Sequence, residues 1–239
     1  MAEGVRLLEE ALRFNRRPVE LYWAPSLLSP RGEKLRERLQ TAGLAARRVA
    51  AAELDRIADA ETSQGLLAIF ETPELRLSEH IRPSKRKVLL CENLSDPGNV
   101  GTLIRSALAF DFDLVALAGQ CAEPFSPKVV RASVGAVFGI PVVVASLREI
   151  IEYAERERLM IVGAALQATD KVEPALTKVR DRPLMLAIGS EAEGLSPDLL
   201  HAAQQLVRIE HSRSVESLNS AIAGSILMRE CYDRRSRRL

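Results

Sequence analysis

Residues 208–230 read RIEHSRSVESLNSAIAGSILMRE, and the fold turns on how they are read. Leu206, Val207 and Ile209 end a short apolar strand, a polar loop follows, and at Ser217 the chain turns into a long helix. Ser217 or Asn219 can cap that helix through a side-chain oxygen. Ile222, Ile226 and Cys231, or alternatively Leu218, Ile222 and Ser225, recur at helical spacing, which predicts one buried face. A strand, a loop and a helix need do no more than close a domain. Two stretches upstream give the segment its meaning: Asn99-Val-Gly-Thr-Leu-Ile-Arg105 and Gly189-Ser-Glu-Ala-Glu-Gly194.

From Val88 onward, short apolar runs recur as VLLCENL, LVALAG, PVVVAS, MIVGAAL, PLMLAIGSE and QLVRI. Helical patterns separate most of them, over residues 100–110, 128–138 and 147–159. Doubly apolar strands alternating with helices predict an α/β fold with a parallel sheet flanked by helices. In such sheets ligands bind beyond the carboxyl ends of the strands. The three polar motifs follow VLLCENL, LMLAI and QLVRI, so they converge on one shared site.

Ahead of this lies a smaller alternating α/β unit. It has a helix at 5–14, a strand at 19–23, a second helix carrying Leu35 and Leu39 and closed by Gly43, a third at 51–58, and the strand Gly65–Phe70. The polar, basic stretch SEHIRPSKRK then marks a linker. The expected division is a first domain over 1–75, a linker over 76–87 and a second domain over 88–239.

The 239 residues carry a formal net charge of +1, so the chain as a whole is no polyelectrolyte binder. Its basic residues are nevertheless clustered: Arg13, Arg16, Arg17, Arg31, Lys34, Arg36, Arg38, Arg47 and Arg48 early, Lys85–Lys87 in the middle, and Arg234, Arg235, Arg237 and Arg238 late. Such local patches suit a nucleic-acid partner and equally suit solvated helix faces. No apolar run reaches the roughly 18–20 residues that span a bilayer, and the opening MAEGVRLLEE has no secretory core. A cytoplasmic protein without membrane association is expected. Cys91, Cys121 and Cys231 are widely spaced, and His80, His201 and His211 lack metal-ligand spacing, so no metal is expected. The absence of GxGxxG, GxxxxGK[ST] and GxSxG argues against a dinucleotide-binding dehydrogenase, a P-loop NTPase and an α/β-hydrolase.

In Asp96-Pro-Gly-Asn-Val-Gly-Thr-Leu-Ile-Arg105, Pro97 and Gly98 turn the chain after a strand and Asn99 can cap the next helix. Gly101 permits close backbone approach, and Arg105 stays near the ligand edge. In the second motif a strand runs into Gly189, two carboxylates and Gly194, where a ligand can lie against bare backbone. Glu191 is poised there to hold a cation such as Arg105 or to accept from a ligand hydroxyl. With Ser217-Leu-Asn219, the series NxGxxxRxA, GxExxGL and SLN resembles the SpoU (TrmH-type) class of RNA ribose 2′-O-methyltransferases. Lys128-Val-Val-Arg131-Ala-Ser133-Val-Gly135-Ala is also similar to that class, across residues 88 to about 232. The first seventy-odd residues resemble the L30e-like substrate-binding domain often fused to it, Gln64-Gly65-Leu-Leu-Ala being like its closing strand.

The resemblance implies a SPOUT fold, in which the C-terminal segment forms a deep trefoil knot. Knots are rare exceptions to the rules of chain topology. It further implies a homodimer with the active site near the two-fold interface, and S-adenosylmethionine as cofactor, with contacts at Leu166, Gly189, Ile209 and Leu218. The reaction implied is methyl transfer to a ribose 2′-hydroxyl of RNA, with no DNA partner expected; the basic helices of the appended first domain tilt the expected substrate towards 23S-type ribosomal RNA over transfer RNA. The residues implied to carry the reaction are Arg105, Asn99, Glu191, Ser217 and Asn219. Where relatives carry proline, methionine and glycine, this chain has Glu210, His211 and Arg213, and Asn-Val-Ser has become Asn219-Ser220-Ala221. Those departures keep open a second reading, a catalytically weak RNA-binding protein of the same fold acting in ribosome assembly.

Overall fold

A computed structural model of the chain describes residues 1–58, 63–77, 87–168, 170–171, 176, 182–212 and 214–232. Most of the linker, Arg213 and the basic tail from 233 lie outside the described residues, as does His80.

The first unit runs β1 (Ala2–Glu3), α1 (Val5–Arg13), β2 (Glu20–Trp23), α2 (Pro30–Thr41), β3 (Ala46–Arg48), α3 (Ala51–Ile57) and β4 (Leu66–Ile69). Its four-stranded sheet has the order β1-β4-β2-β3, with only β2 and β3 parallel. Successive residues of β4 face opposite sides: Leu66 and Ala68 join Val5, Leu8 and Leu21, whereas Leu67 joins Ala24 and Leu54. Gln64 supplies what α1 lacks, a side-chain cap, because its Oε1 accepts from the Val5 N–H at 3.3 Å while Gly4 holds the N-cap position. Gly65 has φ +73°, and a Cβ there would lie 2.8 Å from the Leu27 carbonyl carbon, so this turn into β4 requires glycine.

The second unit contains β5 (Lys87–Glu92), α4 (Pro97–Ala109), β6 (Leu114–Ala118), α5 (Pro127–Ala132), β7 (Val142–Val144), α6 (Leu147–Arg156), β8 (Met160–Ala164), β9 (Asp170–Lys171), β10 (Leu184–Ile188), α7 (Pro197–Ala202), β11 (Gln205–Arg208) and α8 (Ser220–Cys231). The seven strands order β7-β6-β5-β10-β8-β11-β9 and every pairing is parallel. Leu89, Cys91, Leu186 and Ile188 pack on the face covered by α4 and α8, and Val88, Leu90, Met185 and Ala187 on the face covered by α6 and α7. A sheet buried on both faces is the physical reason its strands read as unbroken apolar runs.

Two sequence expectations give way here. The helix predicted over 128–138 ends at Ala132, and a separate 3-10 turn occupies Ala136–Phe138. Val134 (φ 52°) and Gly135 (φ 83°) both lie in the left-handed region, which no continuous right-handed helix accommodates. The C-terminal helix begins at Ser220 rather than Ser217, and its buried stripe is Ala221, Gly224, Leu227, Met228 and Cys231. Ile222 and Ile226 are 54% and 38% exposed. Gly224 decides the rotation: a Cβ there would sit 2.5 Å from Leu103 Cδ2, so the small-residue side seats against α4 and β10.

The two units meet at the 136–139 turn. The Phe70 and Phe138 rings are 4.9 Å apart, Arg16 Nε donates to the Phe138 carbonyl at 3.4 Å, and the Phe14 ring fills the space a side chain at Gly139 would need.

Candidate active site

The site lies beyond the carboxyl ends of β5, β8, β10 and β11, where the strand order departs from chain order. The loop after β5 enters α4 through Asp96, whose Oδ1 accepts from the Asn99 N–H at 2.8 Å. Asp96 is thus the cap that the sequence reading gave to Asn99. Asn99, one turn inside, is left free to reach outward.

It reaches Glu191. Asn99 Nδ2 donates to Glu191 Oε1 at 2.7 Å. Asn219 Nδ2 donates both to Asn99 Oδ1 at 2.9 Å and to the same Glu191 oxygen at 3.2 Å. Ser220 adds its backbone N–H at 3.2 Å and its hydroxyl at 2.8 Å. One carboxylate oxygen of the second motif therefore gathers four donors, one from the first motif and three from the C-terminal one. Asn219 Oδ1 meanwhile accepts from the Ala221 and Ile222 N–H groups at 3.0 and 3.2 Å, which makes Asn219 the cap of α8. Partial burial pushes the Glu191 carboxyl up, but the hydrogen bonds from Ser220, its own backbone and Asn99 outweigh this and hold it below its ordinary range.

Arg105 stands apart from this cluster. It is exposed, and it has no hydrogen-bond or ion-pair partner among the described residues, so Glu191 does not hold it. The helix geometry explains the separation. Six positions at ~100° each place Arg105 roughly 120° around α4 from Asn99. The residue that shares the Asn99 face is Ser106, whose Oγ lies 2.7 Å from Ser225 Oγ on α8.

Beside the clamp is a cavity of about 270 Å³. Its walls come mainly from the ends of β8, β10 and β11 and the loops that follow them: residues 164–167, residues 188–195, and residues 207–209, 211, 217 and 218. Leu166, Gly189, Ile209 and Leu218 all line it, as do Glu191 and Ser217. Ser217 is exposed and makes no hydrogen bond among the described residues. Gly189 cannot be replaced without moving backbone, since a Cβ would lie 2.0 Å from the Gly194 carbonyl oxygen.

Sequence reasoning gave no role to two contributors, Ser220 and Glu92, and marked His211 only as a departure in the cofactor loop. Ser220 is only 5% exposed; the sequence showed it as part of the departure Asn219-Ser220-Ala221 and not as a contact to Glu191. Glu92 is a carboxylate 3% exposed at the end of β5; its Oε2 accepts from the Ser196 N–H at 2.9 Å and so ties down the return of the Glu191 loop. Its place in an otherwise apolar strand was the available signal. His211 lines the cavity with Nδ1 3.0 Å from the Ile209 carbonyl.

The cavity's chemistry can be tested against a cationic nucleoside cofactor. Ala164, Ile188, Leu195, Leu200, Val207 and Ile209 offer apolar surface for a flat base. Among the described residues, Glu191 and Glu193 set two carboxylates against the guanidinium of Arg208, a balance that favours a sulfonium over a chain of phosphates. Among the described residues no group of side chains could hold a metal ion. The lining therefore fits S-adenosylmethionine.

Comparison with known proteins agrees with this geometry. Residues 86–229 match the family model of the SpoU rRNA methylase family, and residues 1–76 match that of RNA 2′-O ribose methyltransferase substrate binding. An uncharacterized tRNA/rRNA methyltransferase of Synechocystis sp. is 30% identical over 96% of this chain and 82% of its own length. The 23S rRNA (guanosine(2553)-2′-O)-methyltransferase RlmP of Bacillus subtilis is 33% identical over 72% of this chain and 66% of its own. The crystal structure of the SpoU methyltransferase AviRb from Streptomyces viridochromogenes, in complex with the cofactor AdoMet, superposes with a TM-score of 0.85 at 27% identity, covering 98% of this chain and 90% of that one. Fold, clamp, cavity and both family models lead to one conclusion: the chain belongs to the SpoU family of S-adenosylmethionine-dependent RNA 2′-O-ribose methyltransferases and carries that family's substrate-binding domain ahead of its methylase domain.

Proposed function

We propose that this protein methylates the ribose 2′-hydroxyl of a nucleotide in 23S-type ribosomal RNA, working as a cytoplasmic homodimer. The observation that carries the reading is the Glu191 clamp, in which Asn99, Asn219 and Ser220 fix one carboxylate at the mouth of the cavity. Ribosomal RNA is favoured over transfer RNA by the likeness to the Bacillus subtilis 23S rRNA methyltransferase.

Leu166, Gly189, Ile209 and Leu218 hold the cofactor in this reading, largely against apolar side chains and glycine backbone. The bound cofactor supplies an electrophilic methyl group. The protein must then present the 2′-oxygen in line at near-attack distance and provide for its proton. Asn99, Glu191, Ser217 and Asn219 are assigned to hold the ribose. Glu191 Oε2 takes none of the four clamp hydrogen bonds, so it is the acceptor offered to a ligand hydroxyl. Arg105 is assigned as the catalytic cation. A guanidinium keeps its proton at neutral pH and is a poor base. Its role is to stabilise the developing alkoxide or a neighbouring phosphate. The exposed Ile222 and Ile226 on α8, the helix packed against α4, support a dimer that brings Arg105 into play. The three-loop cavity also supports threading of the C-terminal segment as a trefoil knot.

Arg105→Ala should lower methyl transfer to ribosomal RNA by at least about 10²-fold, the scale of losing one charge-stabilising donor. Calorimetric binding of S-adenosylmethionine should be unchanged. Normal turnover by this variant would overturn the assignment of Arg105. Failure of the wild-type chain to bind S-adenosylmethionine would overturn the enzymatic reading itself.

A further inference from the structure

The first domain holds a basic cleft that the methyl-transfer chemistry does not use. It encloses about 290 Å³ between the turn after α1 and the end of α2. Leu12, Pro18, Leu39 and Leu44 give it apolar walls, and Arg17 and Arg38, both exposed, complete the lining.

The charge there is uncompensated for a structural reason. The two acids of α2, Glu33 and Glu37, are both turned to Arg36, which donates to Glu33 through Nε at 3.1 Å and again through Nη2 and lies 3.8 Å from Glu37. Arg36 is itself half sequestered over the Trp23 ring, 4.4 Å from its centroid. Arg31 is likewise taken by Glu9, and Arg13 by Glu10. Lys34 and Arg38, one helical turn apart, and Arg17 opposite them are left without a hydrogen-bond or ion-pair partner among the described residues. The carbonyl end of α2 would by itself repel an anion. Three of its carbonyls are occupied by the Ala42, Gly43 and Leu44 N–H groups, and the two guanidiniums outweigh what remains.

We infer that this cleft is a nucleotide subsite for a single-stranded segment of the RNA substrate. One unstacked base lies against the apolar walls, and the phosphates on either side of it meet Arg17 and Arg38, with Lys34 extending the track. A base can enter such a cleft only when it is free of its own stack, which is how proteins read loops and bulges rather than duplex. The inference rests on the proposed RNA substrate and adds where on the first domain that substrate is held.

The test uses the full-length chain and a fluorescein-labelled single-stranded RNA dodecamer, with binding followed by anisotropy across a salt series. Arg17→Glu with Arg38→Glu should weaken binding at least about tenfold and flatten the log–log salt dependence by roughly 1.4, about 0.7 for each lost phosphate contact. Arg17→Gln with Arg38→Gln should fall between this and wild type. Arg47→Glu with Arg48→Glu, on the edge strand β3, serves as the comparison surface and should cost less. Unchanged affinity and slope in the cleft variant, at an unchanged melting temperature, overturn the inference, as does an equal loss from the β3 pair. Wild-type methyl transfer with no effect of the cleft charges sinks the cleft alone. A wild-type chain that transfers no methyl group yet loses RNA binding in the cleft variant keeps the cleft and sinks the reaction.

Discussion

Ser220 supplies two of the four donors on Glu191, its backbone N–H and its hydroxyl. Because the folded carboxyl is held below its ordinary range, the stabilisation it brings is complete at neutral pH and is lost as the pH falls through the folded value. Removing the hydroxyl with Ser220→Ala raises the folded value toward the ordinary one and moves that loss to higher pH. Carboxyl-carbon NMR titration of Glu191 in wild type and Ser220→Ala should show the upward displacement; superimposable titrations would mean the hydroxyl does not govern this group. Asn99 and Asn219 were reached through the motif resemblance, and the place of their motifs at strand ends agreed with one shared site. The partner of Glu191 was not legible, because spacing says which residues share an edge and not which way each helix is rotated. Arg105 was expected at Glu191 and is replaced there by amide and hydroxyl donors.

The helices extend the same lesson. Apolar residues lie on two sides of α8, so periodicity alone permits either stripe, and the branched pair Ile222 and Ile226 was the natural choice. Packing chose the other side because Gly224 lets α4 and β10 approach more closely than any side chain would. Glycine plays a similar part in α4. A Cβ at Gly101 would lie 2.5 Å from Ala132 Cβ and 2.8 Å from the Ser133 nitrogen, so the glycine of the first motif serves contact between α4 and α5 rather than contact with a ligand. Gly101→Ala should improve intrinsic helix propensity by about 1 kcal/mol and still destabilise the fold by a net ~1–3 kcal/mol, because the clash is with backbone. Urea denaturation gives the sign, and a stabilised variant would contradict this packing. The strands were the most legible elements of all, since burial on both faces leaves each as a short apolar run that little else imitates.

For the whole molecule, the exposed Ile222 and Ile226 stripe bears on assembly. Ile222→Asp combined with Ile226→Asp adds charge where the single chain is already solvated, so the monomer should fold. Light scattering should report a dimeric mass for wild type and a monomeric mass for the variant; a monomeric wild type would remove the dimer from the proposal. The seven-stranded sheet carries a further consequence, for the order of events during synthesis. β10 lies between β5 and β8, both of which precede it in the chain, so the sheet has no centre until residues 184–188 have emerged. Strands β5 to β7 form one edge, β8 waits unpaired with them, and only the arrival of β10 joins the two. Such long-range parallel pairing is slow, because distant segments must be brought together before any contact rewards them. The pocket, walled by loops after β8, β10 and β11, can take shape only after that step. A nascent chain halted before residue 184 would display separated strands and no place for a cofactor, so the ability to bind one waits for the last strands of the sheet and arrives with them in one step.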